Sequence, residues 1–378
     1  MKKLIIFTNT DWHFYAHLLP IATAARIKGY EVKILTNITN FREKIEQHDL
    51  QIIPITIKRS SINPFNDLVL LFKLLKILTH EKPDILHNFT IKPILYGTIS
   101  GFLCKVPQII NSFLGMGLIF IKNNFLIRLL KLIFIKIISV IGHYKKILFI
   151  VQNDDDLALL VKLAIAPKHL IVKQCSVGIE VQNFPSLLEP ISSKIIFALV
   201  ARMIIDKGVY EFIDAAKILQ QKGVQAEFWL VGEPDKDNKQ SIKQSLLEYY
   251  HNEGYIKYLG YQKNIRNIWE QAHVAILPSY REGLSLSLLE AGAFGRAIIT
   301  TDAPGGRELV QDKINGLLVR PKNTQDLVET MELLVNDPLL RKKLANKIRL
   351  DILEKYDSLI IANKMIDFYD SNDSNIKS

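Results

Sequence analysis

Cysteine is almost missing from this chain. Only Cys104 and Cys175 occur, far apart and without metal-ligand spacing around either. That excludes a disulfide scaffold and a cysteine-zinc site, and it suits a reducing compartment. A secretory signal core is also missing. MKKLIIFTNTDW sets two lysines before only four apolar residues, Leu4 to Phe7, which read as a first buried strand. The sequence shows no short-period repeat, low-complexity tract or nucleic-acid motif. GMGLIF at Gly115–Phe120 lacks the third glycine of a dinucleotide fingerprint and has Phe120 in its place. One long stretch is without acid. Between Ile85 and Asn153 there is no Asp or Glu, while Lys92, Lys105, Lys122, Arg128, Lys131, Lys136, Lys145 and Lys146 are basic. Up to Glu180 there are 23 Lys and Arg against 12 Asp and Glu, and beyond it 25 against 26. The net charge of +10 therefore arises in the N-terminal half. A surface of one sign attracts phosphates, whether on nucleic acid, lipid headgroups or a small ligand.

What is present points to two α/β domains. A chain of 378 residues with 48% hydrophobic and 23% charged residues is globular and too long for one ordinary core. Short Ile-, Leu- and Val-rich runs alternate with amphipathic segments such as Tyr210–Gln221 and Asp326–Asn336. Leu4–Thr8, Val32–Thr36, Ile52–Ile57, Ile85–Asn88, Gln108–Phe113 and Ile147–Val151 read as strands of one sheet. Ile195–Val200, Glu227–Val231, Ile256–Leu259, Val274–Leu277, Ile298–Thr301 and Leu317–Val319 read as strands of another. Continuous apolar runs mark parallel strands covered on both faces, so the pattern predicts two Rossmann-like, doubly wound sheets facing a central cleft. Composition sets the boundary within Val181–Ser193, giving domains 1–185 and 186–356, with a terminal helix over 357–372 packing back on the first.

Two stretches carry candidate chemistry. LPSYREGLSLSLLEAGAFGRAIITTDAPGGRELVQDKING (Leu277–Gly316) leaves a strand, turns through Ser279–Gly283 and opens a helix near Ser285. Glu282 falls in the mouth of that helix and Glu290 inside it; the amides of Gly283 and Leu284 lie at its positive end, suited to a phosphate or a sugar hydroxyl. ARMIIDKG (Ala201–Gly208) follows another strand, and Arg202 and Lys207 bracket a loop where two cations would neutralise a diphosphate without a metal. Taken singly, each of these residues is equally an ordinary surface charge. VGEPD, with Gly232, and LGYQKNI, ending at Ile265, follow strands of the same domain and offer backbone groups to a base. PGGREL (Pro304–Leu309) is a turn.

Together these segments resemble the family 4 retaining glycosyltransferases of the GT-B fold. LPSYREGLSLSLLEAGAFGRAIITTDAPGGREL is similar to that family's signature, with its E-x7-E pair at Glu282 and Glu290, and VARMIIDKGVYEFIDAAKIL to its phosphate-binding segment. HLLPIATAARIKGYEVKILT and TIKPILYG fit more loosely. The resemblance implies a nucleotide-sugar donor, UDP-linked, and a hexose or N-acetylhexosamine moved to an undecaprenyl-diphosphate-linked or saccharide acceptor in surface-glycan synthesis. It gives Arg202 and Lys207 the diphosphate, Glu290 the ribose, and Glu282 the donor sugar, with Gly232, Ile265, Gly283, Leu284 and Ser285 completing the donor site. No metal or other cofactor is implied. Many relatives carry a histidine in an N-domain loop where this chain has Ile91 beside Lys92, so His13 and Lys92 stand as acceptor-side candidates and the role of His87 stays open. The paired glycines usual in the first loop are missing from NTDWHFYAH. Two other readings remain: a GT-B sugar-nucleotide epimerase, whose flanking acid and base are not assignable here, and a non-catalytic membrane-bound scaffold.

FLIRLLKLIFIKIISVI (Phe125–Ile141) is apolar but interrupted by Arg128, Lys131 and Lys136. Each such charge costs about 2.5–3.5 kcal/mol at a bilayer centre, which disfavours a spanning helix. The pattern suits a helix lying on anionic lipid, and LVLLFKLLKIL (Leu68–Leu78) is alike. The expectation is an enzyme peripheral on the cytoplasmic face of the inner membrane, with no nucleic-acid partner.

Overall fold

The computed structural model describes residues 1–57, 64–116, 125–235 and 238–371. The chain forms two compact units, Met1–Gly178 with the segment from Ser358, and Ile179–Asp357. The division comes at Gly178, ahead of the 185/186 boundary expected from composition. The reason is packing: Ile179 already bridges to Asp357, and Phe184 and Leu187 lie against the second core.

The first unit holds a seven-stranded sheet in the order β3-β2-β1-β4-β5-β6-β7. Its strands are β1 Lys3–Thr10, β2 Glu31–Asn37, β3 Gln51–Pro54, β4 Ile85–Phe89, β5 Gln108–Ser112, β6 Ile147–Val151 and β7 Ile171–Lys173. Every ladder is parallel. β4 and β6 are buried at all five positions, as a strand covered on both faces must be. β7 is not among the strands expected from sequence, because IVK offers two apolar residues and a lysine, whereas the equally short edge strand β13 is LLV.

The helix Ser358–Asp370 packs back on the helix Leu19–Ile27 and sends Ala362, Met365, Ile366 and Tyr369 into the core of the first unit. His87, on β4, anchors it. Its fully buried ring meets the Tyr369 hydroxyl at 2.7 Å through Nδ1 and the Ser112 hydroxyl at 2.7 Å through Nε2. Burial pushes its pKa down to about 3, so the ring is neutral and structural.

The second unit holds six parallel strands in the order β10-β9-β8-β11-β12-β13. They are β8 Ile195–Val200, β9 Ala226–Val231, β10 Lys257–Gly260, β11 Val274–Leu277, β12 Ala297–Thr301 and β13 Leu317–Val319. The strand order reverses between β8 and β11. In open α/β sheets, ligands bind beyond the carboxyl ends of the strands at such a switch point. The two stretches singled out by sequence are the loops that leave β8 and β11.

Candidate donor site at the switch point of the second sheet

Glycines let four loops come together here. Gly208 ends the turn Ile205–Lys207 at φ +70°, and a Cβ on it would lie 2.2 Å from the Pro278 carbonyl oxygen. Only glycine tolerates both that backbone and that approach, so the β8 loop closes against the β11 loop. Gly305, at φ +86°, does the same from the β12 side: its Cβ would lie 2.6 Å from the Glu282 Cβ. Glu282 is fixed there by its own amide, which donates to the Pro304 carbonyl at 2.9 Å. Gly232, at φ +131°, brings the β9 loop onto the Ala201 carbonyl, where a Cβ would stand 1.9 Å away.

Side chains complete the bracing. The Tyr280 amide donates to the Asp206 carbonyl at 2.9 Å, and its hydroxyl donates to Glu211 at 2.6 Å. The Thr300 hydroxyl donates to the Leu277 carbonyl at 2.8 Å and that of Thr301 to the Ser279 carbonyl. The result is an ion pair between the Lys207 ammonium and the Glu282 carboxylate, both largely buried. Sequence motifs named both residues. They did not show Tyr280, Glu211 and Gly305 as the supports, because such contacts link loops that are remote along the chain.

The other candidates fall as follows. Arg202 lies at the start of the same β8 loop, but its guanidinium pairs with Asp235 and not with Glu282. Ser285 caps the helix Leu286–Ala293, its hydroxyl accepting from the Leu288 amide at 3.4 Å, with Gly283 and Leu284 leading into that cap. Ile265 precedes the helix Arg266–Trp269 and packs on the core, its carbonyl accepting from the Ile268 and Trp269 amides. Glu290 lies within the helix Leu286–Ala293, where its carbonyl accepts from the Phe294 amide at 2.9 Å. Burial raises its pKa to about 7. In the first unit, His13 Nδ1 meets the Thr8 hydroxyl at 2.9 Å and Lys92 pairs with Asp67 at 2.9 Å. Among the described residues no group of three His, Cys, Asp or Glu side chains could hold a metal ion.

Fixed cations and a helix start at a sheet's switch point suit a nucleoside diphosphate. Residues 3–151 match the family described as "Glycosyl transferase 4-like", and residues 184–351 match "Glycosyl transferases group 1". The chain belongs to the family 4 glycosyltransferases. It is a glycosyltransferase with the GT-B fold. A curated relative from Campylobacter jejuni, N,N'-diacetylbacillosaminyl-diphospho-undecaprenol alpha-1,3-N-acetylgalactosaminyltransferase, is 29% identical over 94% of this chain and 95% of its own. The Escherichia coli UDP-Gal:alpha-D-GlcNAc-diphosphoundecaprenol alpha-1,3-galactosyltransferase is 25% identical over 76% of each chain. The crystal structure of Anabaena HepE in complex with UDP superposes with a TM-score of 0.80 at 17% identity, over 98% of this chain and 100% of that one.

Within this glycosyltransferase, the raised pKa of Glu290 predicts a pH dependence of donor binding. Under the ribose role that the resemblance implies for Glu290, a carboxylate accepts from both hydroxyls better than the neutral acid does, so binding favours the ionised form and releases a proton. Affinity for UDP will then rise with pH, by up to about tenfold per unit below 7, and level off above. Titration calorimetry of wild type and Glu290→Gln checks this; a profile equally steep in both would separate Glu290 from the ligand.

Proposed function

We propose that this glycosyltransferase moves a hexose or N-acetylhexosamine from a UDP-sugar to an undecaprenyl-diphosphate-linked glycan, with retention at the anomeric carbon. The observation that carries the reading is the Lys207–Glu282 pair, held by three loops at the switch point of the second sheet. Lys207, with Arg202, meets the charge that the departing diphosphate gains as the glycosidic bond breaks, which takes the place of a metal ion. Glu282 accepts from hydroxyls of the donor sugar, and Glu290 from the ribose. The leaving phosphate takes the proton of the acceptor hydroxyl on the same face, so no separate base is needed. The relatives' names, with their diphospho-undecaprenol acceptors, support the acceptor class. The test is a panel of sugar nucleotides against short undecaprenyl-diphosphate glycans in the presence of EDTA, with the linkage read by NMR. UDP should appear only when an acceptor is present. Equal UDP formation without acceptor, loss of turnover in EDTA, or an inverted product would each overturn the corresponding part.

The same proposal places the enzyme on anionic lipid at the cytoplasmic face of the membrane. Among the described residues no helix is long and apolar enough to cross one. Two helices that pack on the helix Ile91–Leu103 turn apolar and basic side chains outward together. Pro64–Glu81 exposes Phe65, Leu68, Val69 and Phe72 beside Lys73 and Lys76. Phe125–Tyr144 exposes Leu129, Leu132, Ile133 and Val140, at the three-to-four spacing of one helix face, beside Arg128 and Lys136. An apolar face rimmed by cations, on the second helix within a stretch without acids, complements negatively charged headgroups. Sedimentation with vesicles checks it. Anionic vesicles should bind the protein, neutral ones should not, and high salt should release most of it; binding indifferent to lipid charge and salt would contradict the placement.

A further inference from the structure

The second unit has a cation-lined hollow away from the donor loops. Its strands run parallel, so a segment that enters a strand lies at the edge opposite the carboxyl ends where Lys207 and Glu282 meet. The segment 311–316, which enters β13, and the outer face of the helix Pro338–Lys355 bound an open hollow of about 490 Å3. Small-molecule sites commonly measure about 300–1,000 Å3. Lys313, Ile314, Lys343, Asn346, Lys347 and Leu350 line it. The four helix residues follow the i, i+3, i+4, i+7 spacing of one face, while Leu344, Ala345, Ile348 and Ile352 enter the core from the other.

Buried polar bonds hold the walls in place. Asn315 Oδ1 accepts from the Gln311 amide at 2.7 Å, which folds the segment on itself. Its Nδ2 donates to the Leu309 carbonyl at 3.3 Å and to the Asp351 carboxylate at 2.8 Å. Asp351 also meets the Lys347 ammonium at 2.9 Å, so one buried carboxylate ties the segment to the helix and sets one of the lining cations. At the tip, the Lys313 amide donates to the Gly316 carbonyl at 2.8 Å.

Charge and exposure decide what such a hollow suits. Beyond Glu180 the chain holds 25 Lys and Arg against 26 Asp and Glu, so three lysines with no acid in the lining depart locally from that balance. Lys347 feels the carboxylates of Asp351 and Glu354. Among the described residues the ammoniums of Lys313 and Lys343 pair with no carboxylate. Between the cations, Ile314 and Leu350 are more than half exposed. A bare anion uses only the ammoniums, and a plain hydrocarbon only the aliphatic side chains. A phosphate joined to a hydrocarbon chain uses both.

We propose that this hollow binds an amphiphilic phosphate, with Lys313 and Lys343 on the phosphate and Ile314 and Leu350 against the first carbons of its chain. None of these residues belongs to the donor site, so the inference stands apart from the proposed reaction.

Titration calorimetry of the full chain at low salt tests it, with UDP saturating so that the donor site is filled. The probes are octyl phosphate, inorganic phosphate and octyl glucoside. Octyl phosphate should bind about tenfold or more tighter than inorganic phosphate, because the chain buries apolar surface, and octyl glucoside should not bind. Lys313→Gln with Lys343→Gln should weaken octyl phosphate about tenfold, the value of two exposed charge contacts. Ile314→Gln with Leu350→Gln should reduce it to the level of inorganic phosphate. All four positions are exposed, so Tm and UDP affinity should stay at wild-type values. Should a double variant unfold, Lys343→Gln alone keeps the test, with a loss of about threefold. Phosphatidylglycerol vesicles that compete with octyl phosphate assign the site to a bilayer lipid; failure to compete assigns it to a free phosphorylated chain. Equal affinity for phosphate with and without the chain, or wild-type affinity for octyl phosphate in the folded variants, overturns the proposal.

Discussion

Replacing Lys207 by alanine will lower kcat by about a hundred- to a thousandfold, the usual loss when one fixed group facing transition-state charge is removed. The charge that develops on the leaving diphosphate has to be met inside the site. Lys207 is held at the switch point by the turn Ile205–Lys207, by Gly208, and by its pairing with Glu282, and the proposed function gives it that task. A group that acts on the leaving group more than on the ground state, as proposed for Lys207, leaves the donor KM less changed than kcat. Removing it also strands a largely buried Glu282, so Lys207→Gln belongs beside the alanine variant to separate lost charge from a disturbed partner. Steady-state kinetics with the best donor and acceptor, together with Tm, make the comparison. Wild-type kcat in either variant takes Lys207 out of the mechanism.

Gly305→Ala will be nearly as damaging, for a steric reason. A Cβ at position 305 would lie 2.6 to 2.8 Å from the Cβ, O and C of Glu282, and φ there is +86°. Neither the backbone of Glu282 nor that of residue 305 can absorb this by rotating a side chain, so the loop carrying the carboxylate must shift. Strain and overpacking together should cost about 1–3 kcal/mol of stability. A displacement on the order of 1 Å at a positioned group is worth about a hundredfold in rate. Activity should therefore fall by about two orders of magnitude while circular dichroism still shows the folded protein. A variant with normal kcat and an unchanged melting curve would mean that the loop beyond β12 does not set the position of Glu282.

Much of this was legible along the chain because the features are local. A buried parallel strand is a short apolar run, and both β8 and β11 stand out as IIFALV and VAIL. Lys207 and Glu282 sit within a few residues of those strands and of the glycines that follow. The same locality explains the failures. β7 has only two apolar residues before a lysine, and the helix Pro338–Lys355 carries many charges, so neither announces itself by apolar content. By itself PGGREL reads as a turn at the end of the signature, since what Gly305 touches is not visible along the chain. His87 stood near candidate acceptor residues in sequence, yet its ring lies in the core, tied to a tyrosine near the other end of the chain.

Sequence alone determined the kind of fold and the kind of enzyme, and it singled out the two loops that leave β8 and β11. Hydrophobic runs and turn residues act on their immediate neighbours, and that is information a linear string can carry. Only the tertiary structure decided that Lys207 meets Glu282 while Arg202 turns to Asp235, that Glu290 is isolated enough for its pKa to rise, and that apolar side chains of two helices face outward. Those outcomes depend on which distant segments the sheet order brings side by side, because desolvation and ion pairing are set by three-dimensional neighbours.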